Sequence, residues 1–212
     1  MPTCALRSAL CALAGLCSVA VSGTEFSTTP VPADRVRDFV HGVVREAVSF
    51  REGSGTLMLV LSETGRYPEG EDAQSARLYA TLFEETPDRE LQERWRITDL
   101  VEQCPLDLSL RYTQPAFHLR DADRDGVLEV WVSYRLACRG DVSPTALKLI
   151  GYEGSRKLAI RGSSTLVYEI DGVPQTDSGA PPSVDAALAR EPALRAEAER
   201  IWQSIARESL SE

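Results

Sequence analysis

Two runs decide the fold class: Leu147-Lys148-Leu149-Ile150-Gly151-Tyr152 and Lys157-Leu158-Ala159-Ile160-Arg161, separated by Glu153-Gly154-Ser155. Short apolar runs joined by a tight, Gly-bearing turn read as a β-hairpin. Reading toward the N-terminus, Val127 to Leu136 is a strand carrying Trp131 and Tyr134, and Phe117 to Leu119 precedes it. Leu106 to Tyr112 alternates leucine with polar residues, as a half-buried strand does. Leu91 to Leu100, Ala76 to Glu84 and Thr56 to Ser62 continue the pattern, each bounded by Gly, Pro or Asp turns. Toward the C-terminus, Thr165 to Ile170 ends at Asp171-Gly172. About seven or eight consecutive short strands with short links predict an antiparallel meander.

Helical periodicity flanks this run. Asp34 can cap a helix in which Val36, Phe39, Val40, Val43, Val44, Ala47 and Val48 share one face. Near the other end, Pro192 suits a first turn, and Leu194, Ala198, Ile201, Trp202 and Ile205 share one face. The expected class is therefore α+β, a β-rich domain over residues 34–172 with an N-terminal amphipathic helix. Residues 173–183, rich in Pro, Gly, Ser and Asp, are expected to be a linker. A C-terminal amphipathic helix within 184–212 is expected to pack on the same domain. Hydrophobic residues make up 43% of the 212, enough for a real core.

The first 23 residues read as a cleavable signal peptide. Arg7 precedes an apolar run from Ser8 to Val21, which is too short to span a bilayer, and small residues lead to cleavage after Gly23. Residues 24–33 follow as an extended leader. Cys17 is preceded by Leu16 rather than a small residue, which disfavours a lipoprotein. With no other stretch of membrane-spanning length, the expected destination is the periplasm or the exterior. Of five cysteines, Cys4, Cys11 and Cys17 leave with the signal. Cys104 and Cys138 remain, as a disulfide suited to an oxidising compartment or as two buried thiols. The net charge of -9 argues against nucleic acid and against anionic lipid as partners.

The strongest local motif is Asp121-Ala122-Asp123-Arg124-Asp125-Gly126-Val127-Leu128-Glu129. Oxygen ligands at alternating positions suit a hard cation. Asp121, Asp123, Asp125 and Glu129 supply carboxylates, Val127 a backbone carbonyl, and Gly126 the sharp turn. Leu128 stands where such loops turn an apolar side chain into the core. A full EF-hand would need a Glu where Val132 stands and helical flanks, so the form closing at its ninth position fits better. This segment resembles the β-rich calcium loops of FG-GAP and related repeats, and Ca2+ is the expected ion. Magnesium, which keeps more of its water, fits less well.

Other motifs are weaker. Arg139-Gly140-Asp141 reads as a turn, and His41 and His118 as strand or helix positions. There is no Gly-x-Ser-x-Gly elbow and no phosphate-cradling loop. Residues 117–162 carry the acidic loop, Glu129-Val130-Trp131-Val132-Ser133-Tyr134, Cys138-Arg139-Gly140-Asp141-Val142-Ser143-Pro144 and Lys157-Leu158-Ala159-Ile160-Arg161-Gly162. Together with Trp95 to Asp99 and Cys104 to Leu108, they resemble a family of exported bacterial proteins, some labelled surface polysaccharide biosynthesis proteins. The resemblance implies an exported, β-rich, calcium-loop-bearing domain of a bacterial envelope and supplies no catalytic residues. Two functions follow. The first is a non-enzymatic envelope module binding a glycan or a protein. The second is an envelope enzyme acting on surface polysaccharide through paired carboxylates, with Trp95 or Trp131 as a sugar platform.

Overall fold

The computed structural model describes residues 26–209. The expected signal peptide, its expected cleavage site and the first three cysteines lie outside the described residues. The strands are β1 (Thr29–Pro30), β2 (Val43–Glu52), β3 (Gly55–Pro68), β4 (Gln74–Glu85), β5 (Leu91–Cys104), β6 (Asp107–Arg120) and β7 (Glu129–Arg139). They continue as β8 (Ala146–Glu153), β9 (Arg156–Ser163), β10 (Thr165–Ile170), β11 (Val173–Ser178), β12 (Ser183–Val184) and β13 (Arg207–Ser209). The helices are α1 (Ala33–Val36) and α2 (Pro192–Ile205).

Two five-stranded antiparallel sheets carry the fold, in the orders β1-β2-β3-β4-β5 and β12-β9-β8-β7-β6. Their facing sides enclose the main core. Leu57, Leu59, Leu61, Leu78 and Ile97 of the first sheet meet Val130, Val132, Tyr134 and Ile150 of the second. Both sheets are covered on their outer sides as well. Met58, Val60 and Phe83 turn outward under Val36 and Val31. Trp131, Leu147, Leu149, Leu158 and Ile160 turn outward under Leu194, Ala198, Ile201 and Trp202 of α2. Burial on two faces explains why Leu57 to Leu61 and Val130 to Val132 run apolar without alternation. A small third sheet, β11-β10-β13, has β10 and β13 parallel.

The α+β expectation is wrong. Of the described residues, 60% lie in strands and 13% in helices, making this a mostly β protein of three sheets and 13 strands. The expected N-terminal amphipathic helix is reduced to α1 and a single 3-10 turn, and Val43–Glu52 is β2. The apolar spacing there fits a helix, but Val43, Val44 and Val48 are β-branched and lose little in a strand. The helical turn ends at Phe39 with Val40 extended, and Gly42 leads into β2 at φ +78°, where a Cβ would lie 2.4 Å from the Glu63 carbonyl oxygen. The expected C-terminal helix shrinks to Pro192–Ile205, with strand residues before and after it. Within the expected linker, Val173–Ser178 is an edge strand antiparallel to β10. Its Pro174 is tolerated because an edge strand leaves one row of N–H groups unpaired.

The hairpin quoted first is β8–β9, with Glu153 opposite Arg156 across Gly154-Ser155. Cys104, ending β5, is bonded to Cys138 near the end of β7, with Cα atoms 5.6 Å apart. The bridge joins the two large sheets where the chain crosses between them. Among the described residues no helix is long and apolar enough to cross a membrane.

Candidate metal centre

The acidic loop spans the gap between β6 and β7, at one end of the second sheet. Its carboxylates order the backbone. Asp121 Oδ2 accepts the Gly126 N–H (3.2 Å), Asp123 Oδ1 that of Asp125 (3.3 Å), and Asp125 Oδ1 that of Val127 (2.8 Å). Gly126 at φ +90° turns the chain, as its place in the motif requires. Leu128 points into the core, and its N–H donates to Glu52 Oε1 (2.9 Å), tying the loop to the β2–β3 hairpin.

Two groups of carboxylates converge, each with oxygen atoms within 4.8 Å of one another: Asp121, Asp123 and Glu129, and Asp123, Asp125 and Glu153. Either group can hold a metal ion. Glu129 is fully buried. Its Oε2 accepts the Ala122 N–H (2.9 Å), while Oε1 has no donor. Asp121 Oδ1 and Glu153 Oε1 are likewise buried without a partner. Burial pushes the Glu129 pKa up to about 8, opposed by the Ala122 N–H and reinforced by the charges of Asp123, Glu153 and Asp121. The folded environment thus favours the protonated carboxyl more than water does. A bound cation would take that proton's place, matching hard oxygen donors to a hard ion.

Of the expected ligands, Asp121, Asp123 and Glu129 converge in one group, while Asp125 meets Asp123 and Glu153 in the other. Val127 is half-buried and contributes its N–H to Asp125. Glu153 is a member that local reading misses. It stands opposite Glu129 across the β7–β8 register, and its Oε2 is held by Arg156 Nε (2.9 Å). Only the pairing of those two strands reveals it.

The remaining candidates lie elsewhere. Half-buried His118 faces Glu197 and Arg200 of α2. Its pKa is lowered by burial and by Arg200. His41 is exposed and packs on Tyr79 with ring centroids 5.3 Å apart. Arg139 pairs with Glu208, and Asp141 accepts the Ser143 hydroxyl (2.9 Å). Trp131 is buried under α2, whereas Trp95 stacks on Tyr152 at 4.4 Å and lines a small pocket with Glu52, Arg94 and Ser155.

Fold and site together define a disulfide-bonded β-sandwich with an acidic loop able to hold a metal ion. No protein-family model, curated protein or solved structure matches this chain.

Proposed function

We propose that this chain is an exported, non-enzymatic envelope module that binds Ca2+ at the 121–129 loop and uses the ordered domain to bind a glycan or protein partner. One observation carries the calcium reading: the fully buried Glu129 carboxylate, with a donor-free oxygen, packed beside Asp121 and Asp123. Ionising a carboxyl buried in this way is costly, and a hard cation at that oxygen would offset the cost. Calcium accepts six to eight oxygens in flexible geometry, so Asp125, the Val127 carbonyl and Glu153 can complete its shell. The Cys104–Cys138 bridge supports export, because such bonds persist in oxidising compartments. The resemblance to exported bacterial envelope proteins supports the same setting.

The test is thermal unfolding of the mature chain with millimolar calcium and with chelator. Calcium at about 100 times its Kd should stabilise by about 2.7 kcal/mol, a rise of several degrees in Tm. Asp123→Asn, which touches both carboxylate groups, should remove the rise. An unchanged Tm in the wild-type chain would overturn the calcium reading.

A further inference from the structure

Away from the acidic loop, a groove of about 570 Å3 opens where β2, β6 and β7 meet the end of α2 and the start of β13. Arg45, Arg111, Arg135 and Arg207 line it, with Glu63 the one carboxylate among its lining residues. This is a concentrated positive patch on a chain whose net charge is -9.

Internal pairing leaves the excess in place. Arg45 is paired with Glu63 at 2.6 Å. Arg111 and Arg139 share Glu208, at 3.2 Å and 3.7 Å. Arg135 donates through Nη2 to the carbonyls of Ile205 and Arg207, where the C-terminal end of α2 attracts a cation. Its Nε is buried without a partner. Burial lowers the Arg135 pKa and the like charge of Arg111 lowers it further, against the raising effect of Glu208. Arg207 is exposed, and its side chain has no partner among the described residues.

We propose that this groove is a binding site for an oxyanion, seated by Arg111, Arg135 and Arg207. Guanidinium groups match carboxylate and sulfate oxygens through paired N–H donors. The volume falls in the range of small-molecule sites. The proposal stands apart from the calcium reading, because the two sites share no residue.

The probes are sodium sulfate and sodium glucuronate, each titrated into the full 15N-labelled mature chain with calcium present. Ionic strength is held constant with sodium chloride, and the arginine Nε–H resonances are followed. Saturable shifts are expected at Arg111, Arg135 and Arg207. Saturation by glucuronate alone assigns an organic carboxylate, and saturation by sulfate alone an inorganic oxyanion. Arg207→Gln should weaken the apparent affinity about tenfold while leaving the anion-free Tm unchanged. Shifts that grow linearly with both anions, or an undiminished affinity in Arg207→Gln, would overturn the proposal.

Discussion

The two oxygens of the Glu129 carboxylate stand in different situations, one accepting the Ala122 N–H and the other without a donor. The acidic cluster of Asp121, Asp123, Asp125 and Glu129 was legible in the sequence because its spacing is local, although the structure splits it into two groups that share Asp123. Glu153 was not, because it joins them only through the register of β7 on β8. Glu208 shows the same dependence on long-range contacts. Burial alone would raise its pKa, but the Ser164 and Thr145 hydroxyls and the Arg135 and Arg139 charges hold it below the ordinary carboxylate value. A depressed pKa means that the folded state favours the ionised form. This contribution to stability is therefore complete above the unfolded value near 4.5 and is lost as pH falls through the lower folded value. Glu208→Gln should flatten the acid limb of stability against pH, measured by urea unfolding at a series of acidic pH values. An acid limb as steep as that of the wild type would show that Glu208 does not contribute to it.

At the level of elements, β8 illustrates how tightly the outer layer packs. Gly151 lies opposite Trp131, and a Cβ added there would come within 2.4 Å of the indole ring. Trp131 is itself fully buried beneath α2 and cannot move aside cheaply. Gly151→Ala should cost about 1–3 kcal/mol of unfolding free energy, measured by urea unfolding. The element read wrongly, residues 36–48, failed for a definable reason. Apolar residues at helical spacing also populate both sides of a strand when both sides are buried, and here Val48 faces one core while Ala47 faces another. Val173–Ser178 was legible only as a polar, Pro-bearing stretch, because an edge strand buries too little to leave an apolar pattern.

For the molecule as a whole, the disulfide is the covalent tie between the two large sheets. It joins residues 34 apart in sequence, a loop whose closure is worth about 3–4 kcal/mol in the chain-entropy model. The Cys104→Ser, Cys138→Ser double variant should lose about that much in urea unfolding while keeping the β signature of its far-ultraviolet spectrum. Equal midpoints with and without reductant in the wild type would show that the tie does not contribute. The sequence by itself determined the β8–β9 hairpin, the acidic loop and the candidate pairing of Cys104 with Cys138, because each depends on neighbouring residues or on counting. The tertiary structure alone decided the strand at 43–52, the second covered face of each sheet, the approach of Glu153 to Glu129, and the arginine groove. Those depend on which surfaces meet across long separations, and burial between sheets outweighs the weak local preferences that a sequence displays.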